Sequence, residues 1–355
     1  MSIRHITPVP RKAASGRVAE VYAQSVADFG QAAFMMLSPA PDLHAAAWAF
    51  LRESEVAGSA PRLGKEVVAV AVSHANRCRF CIDAHSILVH ALGEHRLAED
   101  LLHDRTPARA DHAKLVAWAK ATGVPGAAQP SPPFPAELAA EYIGTALSTH
   151  FNNRMYSALT DEQLLPGNLQ RSRSVRRVGA MAYTRTVHRE LTRGDSLPLL
   201  AGIPSGHAPA WAAGTPIATA FAALRGAAAA GGALLSEPGR NVLRTAVAEW
   251  DPTHPPSPGA WLAQRLASLP AADRPAARLA LLAALAPHDV TDTEVTAWRI
   301  AVHGTDADLV RLLAYGAVIA VDRIEEAITG HPTLPPVLTT GEVPGAPRTR
   351  GPAGG

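Results

Sequence analysis

The chain has 355 residues, 47% of them hydrophobic and 18% charged, with a net charge of +2 when histidine is neutral and a mean hydropathy near zero. That composition supplies a sizeable core for about two domains and excludes a general attraction to nucleic acid or anionic membrane. Residues 1–30 carry no apolar run followed by a cleavage site, so the cytoplasm is the expected compartment.

Taken in chain order, the Ala-rich periodic runs predict helices over Arg17 to Phe29, Asp42 to Ser54 and Gly64 to Ala75. Asn76-Arg77 reads as a turn. A helix from Cys78 to Leu92 follows, closed by Gly93, and two more span Ala108 to Thr122 and Ala136 to Leu159. Seven arginines between Arg171 and Arg193, interleaved with Val175, Val178, Met181 and Val187, predict an amphipathic helix whose basic face is solvated or paired with acids. Ser196 to Leu224 lacks charged residues, but Pro198, Pro204, Pro209 and Pro216 interrupt it, which makes it a linker and not a membrane span. Helices are then expected over Thr215 to Ala230 and Arg274 to Ala286, from the capping-box pattern at Thr291 to near Gly304, and over Asp306 to Thr329. Residues 331–355, rich in Pro, Gly and Thr, read as disordered. No strand ladder is evident, so the expected fold is all-α.

The second of these helical pairs carries the chemistry. Cys78 and Cys81, the two cysteines of the chain, stand three apart and His85 follows four later, so all three share one helical stripe. The midpoint between Glu66 and His85 falls on the Asn76 turn. A helical hairpin therefore sets a carboxylate against an imidazole, with Cys81 one turn nearer the helix start and Cys78 at its first turn. A charge relay ending on a thiol is the natural reading. Zinc is the main rival, since Glu66, Cys78, Cys81 and His85 are all acceptable ligands, although no second pair of cysteines completes a knuckle. A thioredoxin-like site would need a βαβ setting that the helical pattern does not offer. His74, His90 and His95 read as ordinary helix residues.

The string Glu66-Val-Val-Ala-Val-Ala-Val-Ser-His-Ala-Asn-Arg-Cys-Arg-Phe-Cys-Ile-Asp-Ala-His85, with Thr149-His-Phe-Asn-Asn-Arg-Met155 downstream, resembles the alkylhydroperoxidase D-like family within the carboxymuconolactone decarboxylase superfamily. The resemblance implies a thiol peroxidase with Cys81 as the peroxidatic cysteine, Cys78 as the resolving partner, and Glu66 with His85 as proton relay. It also implies assembly into homo-oligomers. The best-studied peroxidases of that family carry histidine between the cysteines; this chain has Phe80.

The chemistry follows from the residues as well. A Cys81 thiolate attacking peroxide leaves a sulfenic acid, which condenses with Cys78 to a disulfide that an external dithiol, thioredoxin-like or lipoyl, must reduce. No bound cofactor or metal is required. His85 would take the Cys81 proton and return one to the leaving group, while Glu66 orients it. Alternatives are a disulfide oxidoreductase without a peroxidase role, a decarboxylase-like lyase, which typically works without the cysteine pair, and a non-catalytic oligomeric binding protein.

An internal repeat completes the reading. Gly64-Lys-Glu-Val-Val-Ala-Val-Ala-Val-Ser aligns with Gly239-Arg-Asn-Val-Leu-Arg-Thr-Ala-Val-Ala, and Tyr142 to Met155 loosely with Arg311 to Ile324. Glu66, Cys78, Cys81 and His85 then fall on Asn241, Thr253, Pro256 and Ala260. The expected layout is a catalytic alkylhydroperoxidase D-like domain over 1–165, a basic helix and Pro-rich linker over 166–214, a degenerate second copy over 215–330 and the tail over 331–355. The second copy is expected to cover the apolar faces of Val67 to Val72 and Ile82 to Leu92.

Overall fold

The computed structural model describes residues 2–124, 126, 129–161, 164, 169, 172–250 and 258–330; the expected disordered tail lies outside them. The described residues form fifteen α-helices with short 3-10 turns and no strand, apart from one isolated bridge between Ile3 and Thr160. None of these helices is long and apolar enough to cross a membrane.

The first half comprises α1 (Gly16–Phe29), α2 (Pro41–Leu51), α3 (Arg62–Ala75), α4 (Arg79–Ala91), α5 (His95–Leu102), α6 (Ala110–Ala121) and α7 (Ala139–Leu159). Gly30 closes α1 in the left-handed region at φ 87°, as an L-residue rarely could. Every residue from Val67 to Val72 is buried, because α3 is the central helix, packed against α4, α6 and α7. The expected helix over Asp42 to Ser54 does not run on as an α-helix. From Arg52 to Val56 it widens into a π-turn, in which the Ala57 N–H reaches the Arg52 carbonyl at 2.7 Å. The extra residue admits four consecutive polar side chains to the interior. Arg52 is bound by Asp28 and Glu53, Glu53 by Ser196 and the Gly194 N–H, and Glu55 points to the site described below.

The basic segment is not one helix. It breaks at Ala182-Tyr183 into α8 (Arg173–Met181) and α9 (Thr184–Val187). Its arginines pair with acids: Arg176 is buried on both Glu99 oxygens at 2.6 Å, and Arg193 holds Glu141 at 2.5 Å. His90 and His95 join this cluster, with His90 Nε2 at 3.0 Å from Glu99.

The second half comprises α10 (Pro216–Gly232), α11 (Glu237–Ala248), α12 (Pro258–Leu266), α13 (Arg274–Leu285), α14 (Asp292–Val302) and α15 (Asp306–Thr329). Thr215 caps α10 just before Pro216. Thr305 and Asp308 form a full capping box at α15; at α14 Thr291 receives the Glu294 N–H but the Glu294 carboxylate goes to Arg278. Here α15 is central, between α10, α13 and α7. Contact is close enough at Gly316 that an added Cβ would sit 2.2 Å from the Ala280 carbonyl oxygen, so only glycine fits there.

The fold is a tandem of related helical units. The 175-residue offset that aligns α3 with α11 also sets the Pro41 start of α2 on the Pro216 start of α10, and α15 answers to α7. The equivalent helices meet each other, α2 on α10 and α7 on α15, as two copies do across an isologous interface. Phe50 stacks on Phe221 at the centre, with ring centroids 4.5 Å apart. This corrects the expected docking face. The Val67 to Val72 side is covered within its own half, and Ile87, Leu88 and Ala91 are covered by Ala180 and Val187 of the basic segment. In the second copy Asn241 and Ala260 are exposed; Thr253 and Pro256 lie outside the described residues.

Candidate active site

The hairpin forms as the spacing predicts. Asn76 ends α3, Arg77 turns the chain with φ 56°, and the Cys78 N–H closes onto the Ser73 carbonyl at 2.9 Å. Cys78 is the N-cap of α4 rather than its first helical residue, and Cys81 stands in the first turn. Both thiols are free and buried. His85, one turn further, places Nδ1 2.8 Å from Glu66 Oε2.

Two residues that the sequence reading missed complete this group. Arg62 Nε donates to Glu66 Oε1 at 2.7 Å. Glu55 enters from the π-turn with Oε1 3.5 Å from His85 Nδ1 and 3.8 Å from Arg62, while neither of its oxygens has a hydrogen bond. The available signal was a run of ionisable residues, Arg52, Glu53 and Glu55, at the end of an otherwise apolar helix. The zinc tetrad is not assembled. Among the described residues the groups close enough to share an ion are Glu55, Glu66 and His85, and Glu66 is already engaged by Arg62.

Burial alone would lower the His85 pKa, but Glu55 and Glu66 outweigh it and push it up to about 9. Burial pushes the Glu55 carboxyl up to about 6. For Glu66 burial acts upward too, yet Arg62 and His85 hold it below the usual carboxylate range. At neutral pH the site therefore holds an imidazolium between two carboxylates.

The cysteines differ sharply. Burial raises Cys78, but hydrogen bonds from the Cys81 thiol, the Cys81 backbone N–H and Ser157 bring it below the ordinary thiol value. Burial and the Cys78 sulfur drive Cys81 well above it, against a hydrogen bond from Asn153. The resting charge is thus favoured on Cys78, at the helix N-terminus, whereas Cys81 is the thiol with access. A cavity of about 80 Å³ is lined by Cys81 and His85 with Phe34, Phe80, Asn152 and Tyr156. Phe80 stacks on Tyr156, centroids 4.5 Å apart, so the residue between the cysteines forms an apolar wall. Gln31, Ile87 and Tyr183 also border a wider outer space of about 630 Å³ beneath α8.

The downstream segment from Thr149 to Met155 is buried in α7. Asn153 bridges Asn76, at 2.8 Å, and Ser73, at 3.1 Å, behind the cysteines.

The carboxymuconolactone decarboxylase family model matches residues 41–121, the stretch from α2 to α6 that holds Glu55, Glu66, both cysteines and His85. Along almost its whole length the chain is similar to alkyl hydroperoxide reductase Rv2159c of Mycobacterium tuberculosis, with 41% identity over 326 residues, 91% of this chain and 94% of the relative. The chain belongs to the carboxymuconolactone decarboxylase family, in its alkylhydroperoxidase D-like branch. No solved structure matches it. The alignment with this relative runs through both halves of the chain.

Proposed function

We propose that this chain is a thiol-dependent peroxidase that reduces organic hydroperoxides or hydrogen peroxide; its mycobacterial relative is named an alkyl hydroperoxide reductase. The observation that carries the reading is the shared cavity of Cys81 and His85, with an imidazolium kept charged by two buried carboxylates. In the proposed cycle the Cys81 proton passes to the Cys78 thiolate. The Cys81 sulfur then attacks the terminal peroxide oxygen, the O–O bond breaks, and His85 protonates the departing alkoxide or hydroxide. The Cys81 sulfenic acid condenses with the Cys78 thiol, releasing water and leaving a disulfide. An external dithiol returns the pair to its reduced form.

This assigns His85 the part of acid rather than base toward Cys81, since a group with a pKa of about 9 is already protonated at neutral pH. Residues 1–165 are the catalytic copy and 215–330 the scaffold copy in this reading, with a homo-oligomer as the expected assembly and the cytoplasm as the compartment. The test is brief exposure of the reduced full chain to stoichiometric cumene hydroperoxide or hydrogen peroxide with dimedone present, followed by peptide mass analysis and by turnover with dithiothreitol. A dimedone adduct on Cys81 and sustained peroxide consumption are expected. Disulfide exchange without peroxide consumption would instead make the chain a disulfide oxidoreductase.

A further inference from the structure

A second cavity, of about 590 Å³, opens between the two halves behind the Asn76 turn. Its size is that of a small-molecule site, and its lining is shared between α7, the Asn76-Arg77 turn and the residues that follow α13. Arg154 stands at its wall, with only 4% of its surface exposed. The guanidinium gives Nε to the Ala284 carbonyl at 2.9 Å and Nη1 to the His150 carbonyl at 2.9 Å. Among the described residues no carboxylate answers it: Arg154 forms no ion pair there, and its three remaining N–H groups, both on Nη2 included, have no acceptor there. Burial lowers its pKa to about 10, so the group stays charged at neutral pH. Trp250 covers one side, its ring centroid 5.5 Å from the guanidinium carbon.

A buried guanidinium without a counter-ion is costly unless something else supplies the negative charge. Among the described residues, the remaining charged groups at the rim are Arg77 and Asp289, beside His288, whose Nε2 donates to the Asn76 carbonyl at 3.1 Å. Among the described lining residues, two guanidinium groups face one carboxylate, so that lining is net positive. The planar fork of Arg154, open on its Nη2 side, matches a carboxylate or phosphate. We propose that this inter-domain cleft is a binding site for a small oxyanion, a phosphate or carboxylate group seated on Arg154 with its remainder against Trp250. The site is distinct from the cysteine cavity, and the two share no lining residue.

The test is isothermal titration of the full chain with inorganic phosphate and, separately, succinate, with sodium chloride at matched ionic strength as control. Saturable binding of at least one oxyanion at millimolar concentration or below is expected, and the preferred arm tells phosphate from carboxylate. Arg154→Gln should weaken it by roughly tenfold or more, the effect of losing a charge-assisted pair. Because Arg154 also ties two carbonyls and its loss could impair folding, Ala286→Asp, which adds a carboxylate to the cleft wall, provides a second variant and should weaken binding at least as much. Absence of saturable heat with both anions would overturn the site. So would wild-type affinity in the folded Arg154→Gln protein or, if that protein does not fold, in Ala286→Asp.

Discussion

Glu55 Oε1 lies 3.5 Å from His85 Nδ1, buried and without a hydrogen bond of its own. Glu66 makes the bond at 2.8 Å, so Glu55 acts on the imidazole through charge alone. That charge is the largest influence holding the His85 pKa up, and it exists only where the π-turn brings the side chain inward.

The first prediction is a pH profile. His85 is raised from 6.5 to about 9, so peroxide reduction should lose its acid and fall as pH rises through about 9. Its contribution to stability is fully present below pH 6.5 and lost as pH rises through about 9; that of Glu55, raised from 4.5 to about 6, is present below 4.5 and lost through about 6. Glu55→Gln should therefore remove the lower step in a series of melting temperatures against pH and move the alkaline limb of the rate profile to lower pH. An alkaline limb identical in Glu55→Gln and wild type would show that Glu55 does not tune His85.

A second prediction separates the two thiols. Charge favours Cys78 and access favours Cys81, so alkylation by small iodoacetamide at moderately low pH should follow the Cys78 titration, whereas peroxide should label Cys81. Dimedone should mark Cys81 in Cys78→Ser and mark nothing in Cys81→Ser. Over-oxidation should rise in Cys78→Ser, which lacks both the proton acceptor and the resolving thiol. A dimedone adduct on Cys78 in Cys81→Ser, with none in Cys78→Ser, would reverse the assignment.

The third concerns the relay. His85→Ala removes the proton donor and should slow peroxide reduction by roughly 10²-fold or more. Glu66→Gln should cost less, because Glu55 still supports the imidazolium and the amide oxygen can accept its N–H. Steady-state and single-turnover rates for both variants check the order, and a near-wild-type His85→Ala enzyme would end the model.

Much of this site is legible in the sequence for a simple reason. A hairpin of two regular helices maps linear spacing onto distance, so the Asn76 turn alone predicts that Glu66 meets His85. Glu55 escapes the same reasoning because a π-turn breaks the 3.6-residue period and redirects the side chains after Leu51. The docking face of the second half escapes it too. An apolar stripe such as Val67 to Val72 shows that a helix is covered, not which helix covers it; here α6 and α7 of the same half do so. The arginines of α8 and α9 read as a face either solvated or paired with acids; which acid is met, as Arg176 meets Glu99 seventy-seven positions earlier, only the tertiary fold reveals.

The last prediction tests the second half as scaffold. The apolar contact between halves centres on Phe50 and Phe221, nearly parallel at 4.5 Å and both essentially buried. Truncating either ring to alanine should destabilise the full chain by about 3–5 kcal/mol, the usual cost of removing a buried aromatic ring. The double variant should fall short of the sum, since the two rings contact each other. Denaturant titration of the two single variants and the double variant reads this directly. A chain ending near residue 195 loses α10 and α15 together, exposing the faces of α2 and α7 that they cover, and should aggregate or change its oligomeric state. His303, exposed at the end of α14 and far in sequence from the cysteines, should tolerate substitution with turnover held within about twofold. A soluble truncated chain with unaltered assembly and full peroxide turnover would show that the second half is dispensable, and the Phe50–Phe221 contact would then be an accident of packing rather than the joint on which the catalytic half depends.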